Sequence, residues 1–279
     1  MKTRVISAAV AIALLLVIAY LGSIAIGLAI FLLAMAATYE FYRALERGGS
    51  KPIYFLGYIA CLPLLYLALE GLLPTQLTDY VEKNCLLIAA TGFFVLLVVL
   101  FCFSMFSDGK YKIADISITL FGILYIAFLF SFVTLTRKME NGNLYVWLIF
   151  IGASATDTFA FFTGITIGKT KIIPRISPKK SLEGCIGGVI GAVLAMLAFG
   201  SIFMPQLGTS LIHFAILGLL CGVISQIGDW SASSVKRAVG IKDYGNIMPG
   251  HGGVLDRLDS ILFVAPTVYF YINLFFQGV

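Results

Sequence analysis

Charge is scarce in this chain: only 12% of its residues are Asp, Glu, Lys or Arg, against 60% hydrophobic. So few ionisable groups cannot coat a water-soluble domain, which excludes that class and points to a bilayer. Metal-ligand spacing is lacking among the cysteines. Cys61, Cys85, Cys102, Cys185 and Cys221 all fall in apolar segments and are expected to pack in the interior rather than bind an ion. A convincing small-residue cleavage site is also missing after the opening Met-Lys-Thr-Arg and its apolar run, so that segment is expected to stay as a helix.

What is present is a succession of apolar runs, each near the roughly 20 residues that cross a hydrocarbon core as a helix. Nine spans are expected, approximately Val5 to Tyr20, Ser23 to Tyr39, Ile53 to Leu72, Asn84 to Phe106, Ile113 to Thr136, Leu144 to Gly168, Glu183 to Met204, Leu211 to Ser234 and Leu258 to Phe276. The first two form one run broken only around Gly22, Ser23 and Gly27, so a single long tilted helix is the alternative. Basic residues arbitrate, because Lys and Arg favour cytoplasmic loops. With nine spans and a cytoplasmic N-terminus, all but Lys83, Arg137 and Lys138 of the 19 basic residues lie inside. The expectation is one all-α polytopic membrane domain over 1–279, with 1–140 mainly scaffold, 141–279 catalytic and the C-terminus outside.

Spans three to five carry almost no buried charge and read as scaffold. Asp115, beside Lys110 and Lys112, fits a helix start, where the dipole favours a carboxylate. Glu40, Arg43, Glu46 and Arg47 recur every three or four residues and read as an interfacial salt-bridged helix face. In the seventh span, Gly184, Gly188 and Ala192 form one small-residue row and Gly187, Gly191 and Ala195 its neighbour. Such rows admit a close helix, from this chain or from a second subunit, so a homodimer stays open.

Asp157 lies well inside the sixth span. An ionised carboxylate at that depth costs about 2.5–3.5 kcal/mol on insertion scales, so it should face a polar cavity or a cation. The following loop gathers Lys169, Lys171, Arg175, Lys179 and Lys180, suited either to anionic lipid or to a polyphosphate.

The densest polar stretch runs from Gly228 to Asp259. Asp229, Ser233 and Lys236 recur on one helical face. Pro249, Gly250, Gly252 and Gly253 prescribe a bent backbone that approaches a ligand closely. Asp256 and Asp259 then open the last helix three residues apart. Carboxylates, glycine turn and phosphate-binding cations together suggest Mg²⁺-assisted phosphoryl or nucleotidyl transfer.

At these residues the chain resembles the phosphatidate cytidylyltransferase (CDP-diacylglycerol synthase) family. That signature, Ser-x-x-Lys-Arg, Lys-Asp, then Pro-Gly-His-Gly-Gly-x-x-Asp-Arg-x-Asp-Ser, is complete between Ser233 and Ser260. A second block, an intramembrane Asp followed by Ser-Pro-Lys-Lys-Ser and Glu-Gly, matches Asp157, Ser177 to Ser181 and Glu183-Gly184. The resemblance covers about the last 125 residues. It implies that CTP and phosphatidic acid become CDP-diacylglycerol and pyrophosphate. Mg²⁺ is expected on Asp229 and Asp256, with Asp259 or Asp157 helping to hold a second cation. Ser233 and His251 are further catalytic candidates. Lys179, Lys180, Lys236, Arg237 and Arg257, with Gly252 and Gly253, are expected to bind the substrates. Membrane lipids are expected around the chain, and no nucleic acid. Many relatives carry Glu just before the signature Ser where this chain has Ala232, which removes that carboxylate from any role here. The alternatives are an ion-coupled transporter, disfavoured by the lack of an inverted repeat, and another CTP-dependent lipid enzyme such as a lipid-alcohol kinase.

Overall fold

The structure is a computed structural model in which residues 13–248 and 252–276 are described. Among them every regular element is helical, apart from two isolated bridges, Lys171 with Ser181 and Met248 with Gly252. Among the described residues, eight helices are long and apolar enough to cross a membrane. Residues 13–21, here α1, are helical and end at Gly22, whose φ of 100° separates them from α2 (Ser23–Arg47). The expected break between the first two spans is therefore real, although the first half of span one lies outside the described residues.

The expected third span is broken into α3 (Tyr54–Ile59), α4 (Leu62–Leu69) and a 3₁₀ turn (Glu70–Leu72). Pro63 in the first turn of α4 has no N–H to carry an α-helix through that point. A short helix, α5 (Thr75–Lys83), fills the polar connection before α6 (Cys85–Phe106). The fifth span comprises α7 (Ile113–Gly122), a π-helical turn (Ile123–Phe128) and α8 (Leu129–Lys138). Then come α9 (Gly142–Thr166), α10 (Leu182–Leu207), α11 (Leu211–Ala238) and α12 (Leu255–Phe275).

Asp115 behaves as a helix-start residue: it accepts from the backbone N–H of Lys112 (2.9 Å) and of Lys51 (2.6 Å), closing α7 onto the chain before α3. The charged face on α2 differs from expectation. Glu40 is only 2% exposed, Glu46 accepts from the Tyr54 hydroxyl, and no Glu–Arg ion pair forms there among the described residues. Arg43, Glu46 and Arg47 are exposed, as an interfacial face requires, but tertiary packing turns Glu40 into the bundle. The cysteines also divide. Cys61 and Cys221 are buried, while Cys85 and Cys102 lie exposed on α6, a helix that buries only Leu100 and so faces lipid nearly all round.

Small residues draw α9 to α12 together. A Cβ on Gly188 would lie 2.9 Å from the Thr156 carbonyl of α9, and one on Gly218 would lie 2.7 Å from Val193 of α10. The rows on α10 thus seat helices of the same chain. Gly228 does the same for α11 and α12: an added Cβ would meet the Asp259 carbonyl oxygen at 2.7 Å. That contact sets Asp229 and Asp259 on neighbouring backbones.

Candidate functional site

The 168–181 loop is anchored before it reaches the site. Glu183 accepts from the N–H of Lys169 (3.0 Å) and of Thr170 (3.2 Å) and from the Thr170 hydroxyl (2.9 Å). Ser181 caps α10 by accepting from Gly184 N–H at 3.2 Å. Arg237 reaches across to the Ile176 carbonyl (3.2 Å) and also donates to Ile241 (2.8 Å). These ties place Lys180 over α11, where its Nζ pairs with Asp229 at 2.6 Å. Burial disfavours the Lys180 ammonium, but the Asp229 carboxylate outweighs it and holds the pKa above the ordinary lysine value.

A second pair lies deeper. Lys236 Nζ meets Asp256 Oδ1 at 2.7 Å, with side chains 9% and 3% exposed, against 29% and 23% for Lys180 and Asp229. Oδ2 of Asp256 accepts from the backbone N–H of Tyr244 (2.8 Å) and of Gly253 (2.9 Å). The Lys236 ammonium also lies 5.3 Å from the Tyr244 ring centre, and the Tyr244 hydroxyl donates to the Ala232 carbonyl at 3.0 Å. Burial raises the Tyr244 pKa and keeps it a neutral donor. Asp256 thus fastens the loop between α11 and α12 as well as neutralising Lys236.

Asp157 remains accessible although it lies in the middle of α9, and it sits within 3.5 Å of the Ser260 hydroxyl. Asp229 and Lys180 are within its electrostatic reach, as is Arg257. Asp259 is buried, accepts from Ser260 N–H at 2.9 Å and feels the charges of Asp229, Asp157 and Lys236. The structure therefore brings Asp157, Lys180, Asp229, Lys236, Asp256 and Asp259 into one acidic and basic cleft, with Ser233 buried on the α11 face between Asp229 and Lys236. Lys179 and Arg257 are exposed, and Gly252 adopts φ 89° at the turn. His251 lies outside the described residues, with Pro249 and Gly250.

No three His, Cys, Asp or Glu among the described residues form a ready metal cage. Mg²⁺ rarely requires one, since it usually takes one or two carboxylates and completes its shell with water and substrate phosphate. The donor set fits that habit. Asp229 has a solvent-reachable carboxylate, and Asp256 has accepted three hydrogen bonds out of about four acceptor sites. A cavity of about 240 Å³ lined by Arg43, Arg47 and the 243–247 loop lies beside this arrangement; Asp243 lines it, but Asp157, Asp229, Asp256 and Asp259 do not.

Two residues from the first half of the chain, outside every motif, also approach these groups. Tyr125, on the π-helical turn, has a buried hydroxyl without a hydrogen-bond partner among the described residues, within electrostatic reach of Asp259, Asp229 and Asp256. Glu40 of α2 accepts from Leu255 N–H at 2.9 Å. A π turn is invisible to hydrophobic periodicity, although such turns frequently mark functional sites.

Comparison with known proteins places these residues in context. The family model described as the Cytidylyltransferase family matches residues 2–275. The phosphatidate cytidylyltransferase of Bacillus subtilis is 30% identical, over 99% of this chain and 98% of its own length. Proteins of the same name from Thermotoga maritima (31% identical; 96% and 95% covered) and Synechocystis (32%; 97% and 96%) are similar over comparable lengths.

Proposed function

The chain belongs to the cytidylyltransferase family, and from that premise we propose that it is an integral membrane phosphatidate cytidylyltransferase, converting CTP and phosphatidic acid to CDP-diacylglycerol and pyrophosphate. The observation that carries the reading is the meeting of Lys180–Asp229 and Lys236–Asp256 around an accessible mid-span Asp157. Such a cleft suits a reaction between one lipid and one soluble polyphosphate.

An oxygen of the lipid phosphate attacks the α-phosphorus of CTP. The new bond is O–Pα, the bond that breaks joins Pα to the bridging oxygen of the β-phosphate, and pyrophosphate leaves with that electron pair. A phosphate monoester has its second pKa near 6, so at neutral pH the nucleophile is largely dianionic and needs no general base. The task left to the protein is bringing two anions together. Lys180 and Lys236 offer ammonium groups for this, and Lys180, on the more exposed pair, can pass from Asp229 to an incoming phosphate. Lys179, Arg237 and Arg257 add positive charge at the mouth, while Ser233 and His251 are polar partners for the bound phosphates. Asp229 and Asp256 would hold Mg²⁺, with Asp259 or Asp157 as further ligands for a second cation. The ion would supply charge neutralisation on the attacking and leaving oxygens.

The N-terminus and site loops are assigned to the cytoplasm, where CTP is found, and the C-terminus to the far side. Purified protein given radiolabelled CTP and phosphatidic acid should yield labelled CDP-lipid and pyrophosphate only with Mg²⁺ present. Asp229→Asn should abolish this while the protein stays folded. Ion flux without any CDP-lipid would overturn the reading in favour of a transporter.

A further inference from the structure

Glu40 stands apart from every motif, yet its carboxylate lies at the start of the helix that carries Asp256 and Asp259. It is 2% exposed. Its Oε2 accepts from the N–H of Leu255, the first residue of α12, across a sequence separation of 215. The backbone wraps around it on two further sides: a Cβ built on Gly245 or on Gly253 would collide with the Glu40 carboxylate. Asp256 grips the same loop from the opposite direction, through the amides of Tyr244 and Gly253, and Met248 N–H to Gly252 O at 2.9 Å closes the segment between them.

From this geometry we propose that Glu40 is a positioning residue for the cytidylyl transfer: it is the peg on which the 244–255 loop is hung, and it fixes where Asp256 and Asp259 sit relative to Asp229. The inference rests on the reaction proposed above. Its physical basis is that buried carboxylates are held by the donors they accept from. Here the donor is the leading amide of α12, which has no partner within its own helix. Removing the carboxylate frees that amide and opens space at Gly245 and Gly253 together. Of the two carboxylates that grip the loop, only Asp256 then remains, the residue whose geometry the reaction needs. The remaining oxygen of Glu40, Oε1, has no hydrogen-bond partner among the described residues, so its burial is offset only by the backbone amides of Val254 and Leu255 at the start of α12. A carboxylate kept at that cost is better explained by the loop it shapes than by stability alone.

The test uses the full chain in detergent or nanodiscs. Glu40→Ala should lower kcat by about 100-fold, the scale of a small misplacement of reacting groups, while KM for CTP moves less than about threefold. Glu40→Gln keeps an acceptor oxygen of the same shape and should recover most of the activity. Hydrogen exchange should quicken at Leu255 and across 243–254 in Glu40→Ala, with α10 peptides unchanged. Gly245→Ala should impair the wild-type background but add little to Glu40→Ala, because the carboxylate it strikes is gone. Unchanged kcat in Glu40→Ala, or exchange that quickens equally throughout the bundle, would overturn the proposal. If the wild type makes no CDP-lipid, the reaction has been misassigned, and the exchange measurement still decides whether Glu40 holds the loop.

Discussion

Replacing Lys236 by Met provides the sharpest test of how the cleft is built. Both partners are almost fully enclosed, 9% and 3% exposed, so the substitution leaves an aspartate in a low-dielectric setting without its cation. Breaking a buried pair from one side costs about 3–5 kcal/mol. Asp256 keeps its bonds from Tyr244 and Gly253, which puts the expected loss near 3 kcal/mol at the lower end of that range. On the scaling for chains of about 150–250 residues, this lowers the unfolding midpoint by roughly 6–12 °C. The second arm is Lys236→Met combined with Asp256→Asn, which leaves a neutral pair of similar shape. Its midpoint should return to within about 3 °C of the parent, because no uncompensated charge remains. CDP-lipid formation should stay at least about 100-fold down, since positioned charge at the transferring phosphoryl group has been lost. Thermal unfolding in detergent and a labelled CTP assay read the two effects separately. A normal midpoint in the single variant would refute the burial argument, and recovered activity in the double variant would refute the pair's part in the chemistry.

The more exposed pair should behave differently. Lys180→Met should cost less than about 1 kcal/mol of stability, because solvent screens it, yet strongly depress turnover. Because the Lys180 pKa is raised, its contribution to stability is fully present below the ordinary lysine value of about 10.4 and is lost only as pH climbs beyond it. A melt series from pH 6 to pH 9 should therefore show no transition assignable to Lys180. Asp115→Ala, which strips two backbone donors of their acceptor, should destabilise the bundle by about 2 kcal/mol with little change in kcat, measurable by paired melting and turnover. Tyr125→Phe removes a hydroxyl that has no partner among the described residues. Its melting point should hold or rise while kcat/KM falls, and unchanged kinetics would exclude the hydroxyl from substrate contact.

Hydropathy was enough to find the spans, because a chain this poor in charge marks its helix ends with the few ionisable residues it has. The basic loop and the Gly228 to Asp259 stretch were likewise legible as residue types suited to phosphate chemistry, although the loop alone also suits anionic lipid. Direction was harder to read. Glu40 shares the spacing of Arg43 and Arg47, which are exposed, but it is buried against Leu255, far along the chain. The internal break in the third span and the π turn at Ile123–Phe128 were hidden for a related reason. Both leave the hydrophobic composition of a span untouched while changing which side chains face inward. Asp256 was legible as a carboxylate at a helix start, but its engagement by two loop amides depends on a backbone path that residue identities do not encode.

The order in which partners occur along the chain bears on how the protein enters its membrane. Lys180 precedes Asp229, and Lys236 precedes Asp256 by 20 residues. At synthesis rates of about 5–20 residues per second, the Lys236 ammonium emerges about 1–4 s before the acid it neutralises. Each of these carboxylates thus arrives after its counter-ion has been made. Glu40 has the opposite history: its amide partner lies 215 residues downstream, a wait of about 10–40 s at the same rates. Through that interval the second helix holds an acid whose native amide partner does not yet exist, and the Glu40–Leu255 bond can form only once α12 has been made.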